Sequence, residues 1–112
     1  MDAHELADLI EARAASGGPW HEFLRSPDLS VGLYVLGVGE SDLQSPHAED
    51  EVYWVVSGRG RITVGSETRP VRAGSVVFVQ AAVPHRFHDI TEELVILVAF
   101  GPAEGARAGA PG

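Results

Sequence analysis

Apolar and polar residues alternate in short runs along most of the chain, and this pattern predicts a protein built mainly from β-strands. From Leu29 onwards, short apolar segments are separated by glycine, proline and aspartate residues. Short strands at this spacing are typical of sandwiches and barrels. No second helical pattern interrupts them, so we do not expect helices to alternate with strands around a parallel sheet. The predicted strands cover residues 33–36, 52–56, 61–64, 75–79, 85–88 and 94–100, with Val71 between two of them.

The N-terminal segment has a helical pattern instead. Three apolar residues fall on one face of a helix that we predict over residues 2–15. Asp2 and Glu5, three residues apart, resemble a capping box, and a Gly-Gly-Pro sequence ends the helix. The helix is short and amphipathic, so we expect it to pack against the main body or a partner subunit.

The turn signals divide the rest of the chain. Residues 57–60 predict a hairpin turn, and residues 65–68 predict a further turn. We expect one domain in three parts: an N-terminal helix and lead-in segment over residues 1–28, a β-barrel over residues 29–100, and a disordered Gly/Ala/Pro tail over residues 101–112.

Composition and charge exclude several classes of function. The net charge of -8 disfavours nucleic acid and anionic membrane surfaces as partners, because both attract basic proteins. Without cysteine, the chain forms no disulfide and no zinc–cysteine site. An acidic N-terminus without a signal-peptide pattern, and the lack of a long apolar run, predict a soluble cytoplasmic protein. All eight basic residues are arginine, which suggests a GC-rich bacterial genome.

Two histidines and a glutamate occupy positions that strand geometry brings to one face. Glu51 follows His47 by four residues, and because strand side chains alternate, both point the same way as Tyr53 and Val55. His85 begins another predicted strand. Two imidazoles and a carboxylate that converge inside a small barrel would form a divalent-metal site. The alternative is that these side chains lie hydrated near the barrel mouth.

The segments around these residues resemble the two sequence motifs of the cupin superfamily. The first motif ends with a histidine, a glutamate three or four residues later, and a glycine after six more residues, which His47, Glu51 and Gly58 match. The second motif begins with a glycine and contains a histidine at a fixed separation, which Gly74 and His85 match.

The sequence departs from these motifs at four positions. Ser45 stands where the family has the first histidine of a pair, so one of the four usual protein ligands is missing. Gln44 is close enough to supply a fourth oxygen if the strand bulges there. In the second motif, Gln80, Ala82 and Asp89 replace proline, glycine and asparagine, which affects turn shape more than fold.

The resemblance implies an all-β fold, the cupin double-stranded β-helix or jelly-roll barrel, preceded by a short N-terminal helix. It also implies a divalent metal ion (Fe, Mn, Ni, Co, Cu or Zn) bound by His47, Glu51 and His85. Such a protein is either a metal-dependent dioxygenase, isomerase or lyase acting on a small organic molecule, or a non-catalytic small-molecule or metal-binding module. No catalytic residue is assigned. We expect the substrate pocket to be lined by Tyr53, Val55, Val64, Phe78 and Phe87.

Other polar candidates have simpler explanations. Glu49 shares the face of Glu51, but we expect it to be exposed at the barrel mouth. His88 lies on the opposite face from His85. Arg59 and Arg61 beside the predicted hairpin turn would suit an anionic substrate, but exposed turn arginines are common.

Trp54 points outward by alternation, on a strand otherwise built of valine. With Val52 and Val56 it would form an apolar surface patch, and such patches often mark protein contacts. The likeness to small cupins makes a homodimer through this face the expected assembly. A monomer that uses the face to bind a different partner is the alternative.

Overall fold

The computed structural model describes residues 1–42 and 47–106. It contains one N-terminal helix followed by six strands, which confirms the predicted all-β fold with a short helix. The elements are α1 (Leu6–Ser16), β1 (Trp20–Ser26), β2 (Leu29–Leu36), β3 (Asp50–Val64), β4 (Glu67–Arg72), β5 (Val76–Val79) and β6 (His85–Gly101). Within the described residues, no helix combines the length and apolarity needed to cross a membrane.

The strands form one antiparallel sheet in the order β1-β2-β6-β3-β4, with β5 paired to β3. The two longest strands, β3 and β6, pair with each other from Asp50↔Gly101 to Val64↔His85. This sheet curls around an inner apolar cluster to give the jelly-roll barrel. The edge strands of the described sheet are β1, β4 and β5, each of which pairs with a single neighbour.

Each face of the sheet has its own apolar cluster. The inner cluster is built from aromatic and aliphatic residues of five strands and includes Tyr53, Phe87 and Phe100, which are almost fully buried. The outer cluster forms where α1 packs against β1 and β2, and its buried residues are Leu9, Leu33, Val35 and Val95. The helix therefore packs on the main body, one of the two predicted locations.

The predicted hairpin turn at residues 57–60 is wrong. β3 continues without reversal through this segment, and its pairing with β6 shifts register three times between Val55 and Arg61. Gly58 has a positive φ of 99°, so the glycines allow bulges that bend the strand instead of reversing it. The hairpin turn comes later, between Val64 and Glu67, inside the predicted turn segment.

The N-terminal predictions also need correction. Glu5 is the N-cap of α1, and its side chain makes no capping hydrogen bond in the described part of the chain, so the predicted capping box does not form. The strand β1 lies in the segment predicted as a lead-in. A register shift between Glu22 and Leu24 breaks the alternation of apolar positions that would have revealed it.

The predicted tail begins too early. Gly101 ends β6, and Ala103 is buried with only 1% of its surface exposed. The backbone N–H of Glu104 donates to the Ser30 hydroxyl over 2.8 Å, which ties the segment to β2. Residues 101–106 therefore belong to the folded body, and residues 107–112 lie outside the described residues.

We expect Gly58→Ala to destabilise the fold far more than Gly74→Ala. Both glycines have φ above 90°, so alanine costs backbone strain of about 1–2 kcal/mol at either site. At Gly58 an added Cβ would also overlap the Glu93 carbonyl, which is backbone and cannot rotate away. At Gly74 no atom lies within 4 Å of an added Cβ. Urea denaturation measures the difference. Equal losses of unfolding free energy in the two variants would contradict the close packing of β3 on β6.

Candidate metal centre

The structure brings the three predicted ligands together. Glu51 is the second residue of β3, His85 is the first residue of β6, and His47 lies just before β3. One ligand atom from each residue falls within 4.8 Å of the other two. Because β5 pairs with β3 directly opposite Glu51, the chain leaving β5 delivers His85 to the same point of the barrel interior.

The carboxylate of Glu51 lies between the two imidazole rings. Its Oε2 is 2.8 Å from Nε2 of His85, and its Oε1 is 3.4 Å from Nε2 of His47. The side chains of Glu51 and His85 are 1% exposed, whereas that of His47 is 20% exposed. The cluster is therefore buried on one side and open to solvent on the His47 side.

The second nitrogen of His85 has a backbone partner. Nδ1 lies 2.8 Å from the Val83 carbonyl oxygen, which can only accept, so Nδ1 carries the proton of this hydrogen bond. In the neutral ring this leaves the Nε2 lone pair directed at Glu51. Burial lowers the pKa of His85, but Glu51 and the Val83 carbonyl raise it by more, so the net pKa lies above its ordinary value.

Two buried atoms of this cluster lack a hydrogen-bond partner within the described residues when His85 is neutral. In that state the lone pair of His85 Nε2 faces the acceptor Glu51 Oε2 at 2.8 Å, and Glu51 Oε1 has no hydrogen-bond donor. A buried polar atom without a partner costs about 1–3 kcal/mol. A divalent cation would accept both lone pairs and remove that cost, so the donor set fits a metal of the imidazole- and carboxylate-binding type.

Tyr53 supports the carboxylate. It is fully buried, and its hydroxyl donates to Glu51 Oε2 over 2.9 Å. Its ring contacts Phe87 edge to face, with centroids 4.9 Å apart. Together with Val55 and the partly buried Val64, these residues belong to the inner cluster. Four of the five predicted pocket residues thus belong to the inner cluster or pack against it.

The fifth predicted pocket residue, Phe78, does not face the interior. It is 60% exposed and pairs with Val52, which is also exposed. The register places Val79 opposite Glu51, so Val79 takes the interior position and is 1% exposed. Phe78 instead lines a separate groove of about 600 Å³ together with Val64, and the triad residues do not line this groove. The strand β5 is too short for its own sequence to show which parity faces inward.

Glu49 was expected at the barrel mouth, but it is 2% exposed. Its Oε1 accepts a hydrogen bond of 3.1 Å from the backbone N–H of Gly105, and its Oε2 has no partner among the described residues. The residue precedes β3 in a bend, so neither strand parity nor local polarity indicates its surroundings. The buried carboxylate instead anchors the C-terminal segment over the site.

That segment carries a site residue that sequence reasoning missed. Glu104 Oε2 lies 3.5 Å from Nδ1 of His47, on the opposite side of the ring from Glu51. Burial is the main cause that raises the pKa of Glu104, and His47 lowers it in part. The guanidinium of Arg25 holds the Glu104 carbonyl at 2.8 Å. The available signal was that Glu104 is the one acidic residue in an otherwise Gly-, Ala- and Pro-rich segment.

A second buried carboxylate, Asp42, was also not predicted from the sequence. Asp42 is 9% exposed, and it accepts hydrogen bonds from the Tyr34 hydroxyl at 2.7 Å and from the Phe87 backbone N–H at 2.8 Å. It thereby joins β2 to β6. Burial, followed by the hydrogen bond to Asp42, raises the pKa of Tyr34 well above its ordinary value.

The remaining predicted residues lie outside the cluster or outside the described residues. His88 faces away from the triad, as predicted, and its Nε2 lies 2.7 Å from the Thr63 hydroxyl. Trp54 is 54% exposed, which confirms its outward orientation. Gln44 and Ser45 fall between residues 42 and 47, outside the described part of the chain.

Comparison with known proteins identifies related sequences. The sequence model of the family described as "Cupin domain" matches residues 32–100, a range that contains all three residues of the triad. An uncharacterized protein of Streptomyces coelicolor is 55% identical over 104 residues, which cover 93% of this chain and 99% of that protein.

Solved structures share the architecture. The protein TT1209 from Thermus thermophilus superposes with a TM-score of 0.73 at 21% identity, over 92% of this chain and 99% of that one. An RmlC-like cupin family protein with a double-stranded β-helix fold, from Methanocaldococcus jannaschii, has a TM-score of 0.71 at 16% identity, over 81% and 84% of the two chains. At these identities the likeness establishes the fold alone.

Proposed function

The chain belongs to the cupin domain family, and we propose that it binds a divalent metal ion through His47, Glu51 and His85. The convergence of ligand atoms from these three residues within 4.8 Å, with the carboxylate of Glu51 and the ring of His85 both buried, carries this proposal, because buried polar groups are costly unless they are paired or bind a metal. The likeness to a sequence motif alone would not require the atoms to face one another.

Each ligand has a partner that orients it. The Val83 carbonyl accepts from Nδ1 of His85, the Tyr53 hydroxyl donates to Glu51, and the Glu104 carboxylate faces Nδ1 of His47. Groups of this kind hold ligand rings and carboxylates in place and increase ligand basicity. The three contacts support a site built for a metal, because an incidental cluster of polar side chains needs no such shell.

The chemistry available at this site follows from its ligand count. Three protein ligands leave coordination positions open for substrate or water, and a metal bound there supplies Lewis acidity to a substrate oxygen. Iron, manganese, cobalt, nickel, copper and zinc all accept imidazole and carboxylate ligands. We propose a dioxygenase, isomerase or lyase that acts on a small organic molecule approaching from the exposed His47 side.

One observation favours a non-catalytic alternative. Tyr53, Val55 and Phe87 are fully buried and packed against each other, so they fill the barrel interior that was expected to receive a substrate. A metal-binding module without turnover needs no such pocket. Oxygen consumption by the iron-loaded protein with a panel of diketones and phenolics separates a dioxygenase from a non-catalytic module.

We expect the purified wild-type protein to hold about one divalent ion per chain, and His47→Ala and His85→Ala to lose it, because each removes one of three ligands. Elemental analysis after purification without chelators measures the content. His88→Ala is the matched control, since His88 is also a barrel histidine but bonds to Thr63 outside the cluster. Wild-type protein without metal, or equal loss in His88→Ala, would contradict the site.

We expect Glu104→Gln to weaken metal binding by roughly tenfold, within the range of 10–100 that loss of an orienting partner costs. Glutamine keeps an acceptor oxygen near His47 Nδ1 but removes the charge that increases the basicity of the ring. Competition titration with a chromogenic chelator measures the affinity. Glu92→Gln is the control, because that carboxylate is 63% exposed and faces Arg59. An unchanged affinity in Glu104→Gln would remove Glu104 from the site.

We also propose that the protein is a homodimer formed through the outer face of β3 and β5. Four exposed apolar side chains lie on this face, and the register places them in two directly opposed pairs. They are Val52 opposite Phe78 and Trp54 opposite Val76, all between 40% and 65% exposed. A contiguous apolar patch of this kind is characteristic of a protein contact.

We expect Trp54→Glu to convert a dimer into a monomer, because a charge at the centre of the patch must be desolvated on association. Light scattering coupled to size exclusion at micromolar concentration measures the mass. Val38→Glu is the control, since Val38 is 64% exposed but belongs to neither β3 nor β5. A wild-type monomer would instead favour the use of this face by a different partner.

A further inference from the structure

Half of the arginines of this acidic protein line one groove. The groove has a volume of about 750 Å³ and lies over the β3–β4 hairpin and the middle of β6. The chain has eight basic residues and a net charge of -8, so such a concentration of positive charge runs against the overall composition. The arginines in the groove are Arg59, Arg61, Arg69 and Arg72.

The sheet register places Arg59, Arg61 and Arg72 on one face of the β3–β4 hairpin, whereas Arg69 lies opposite the buried Ile62. Arg59 of β3 lies directly opposite Arg72 of β4, and Arg61 lies opposite Pro70. Side chains at directly opposed positions are close neighbours, and like charges placed there destabilise a sheet. The pairing of Arg59 with Arg72 is therefore a local cost that an anion between the two strands would remove.

Little negative charge within the protein offsets this cluster. Arg59 is 3.7 Å from Glu92, and both side chains are 63% exposed, so the pair is weak. Across residues 1–42 and 47–106, Arg61, Arg69 and Arg72 form no ion pair. Asp89 is the single acidic residue among those that line the groove. The lining thus retains a net positive charge.

The floor of the groove is irregular in a way that makes room for a ligand. Between Arg59 and Arg61 the register advances by two residues on β3 but by four on β6, from Glu92 to His88, so β6 bulges there. Bulges often lie beside binding sites, where they redirect side chains. On the opposite wall, Ser75 accepts a hydrogen bond from the Arg72 backbone N–H, which leaves its hydroxyl proton able to donate.

We propose that this groove binds a small molecule with two or more anionic groups, phosphate or carboxylate. Guanidinium groups suit both, because their paired N–H donors match either anion in two parallel hydrogen bonds. The volume falls in the range of small-molecule sites, about 300–1,000 Å³. Nucleic acid is disfavoured because the remaining surface of this protein is acidic. None of the three triad residues lines the groove, so the proposal is independent of metal binding.

Edge protection is the competing explanation for these arginines. β4 is an edge strand, and charged residues on edges prevent strands of different molecules from pairing. That explanation predicts aggregation when the arginines are removed and no specific affinity for anions. The two explanations therefore differ in binding, which a titration measures directly.

The test is a ¹H–¹⁵N NMR titration of the full chain with diphosphate and, separately, with citrate. We expect saturable shifts confined to β3, β4 and the bulge of β6, and dissociation constants that rise about tenfold or more in the double variant Arg61→Gln/Arg72→Gln, because charged hydrogen bonds are lost. Arg86→Gln is the control, since Arg86 lies outside the groove. Tighter binding of diphosphate identifies a phosphate ligand, and tighter binding of citrate identifies a carboxylate ligand.

A second variant keeps the test valid if the double variant is poorly folded. Arg61→Lys retains the charge but loses the paired donors, so we expect weaker binding with an unchanged melting temperature. Unsaturable shifts with both probes, or equal dissociation constants in the wild type and Arg61→Lys, would overturn the proposal. Aggregation of the double variant without any wild-type anion affinity would assign the arginines to edge protection.

Discussion

The curvature of the β3–β6 ladder is the constraint on which the rest of the structure depends. At one end of this ladder Glu51 pairs with Phe100, and at the other end Val64 pairs with His85. Glu51 and Val64 are thirteen residues apart on β3. In a flat sheet these two side chains would be tens of ångströms apart, since a strand rises about 3.3 Å per residue. They are 2.8 Å apart because the bulges around Gly58 curl both strands and close the barrel.

Closure of the barrel also explains why the site costs folding free energy and why hydrogen bonds surround it. It buries a carboxylate beside two imidazoles, in surroundings where an unpaired polar atom is costly. The protein offsets part of this cost with hydrogen bonds from Tyr53 and to Val83, and it brings Glu104 over the exposed side of His47. Two atoms remain without partners among the described residues, and these are the atoms that a metal would use.

The same alternation that directs the triad inward sorts the outer surface into distinct regions. On β3, odd-numbered positions 51 to 55 face the core, while Val52 and Trp54 point outward with their β5 neighbours. Beyond the bulges the parity reverses, so that Ile62 is buried and Arg59 and Arg61 point outward. One strand therefore supplies a residue of the buried His–Glu–His triad, part of an apolar patch and part of a basic groove.

Local features of the sequence determine the fold class, the N-terminal helix and the inward face of residues 47 to 55, because alternation and motif spacing are properties of neighbouring residues. Tertiary structure alone decides which bulges bend β3, which face of β5 is buried, and that Glu104 meets His47 from 57 positions away. These outcomes depend on pairing between distant segments, where a shift of one residue exchanges the two faces of a strand. For that reason the triad was predictable, whereas the outward orientation of Phe78, the burial of Glu49 and the contact of Glu104 with His47 were not.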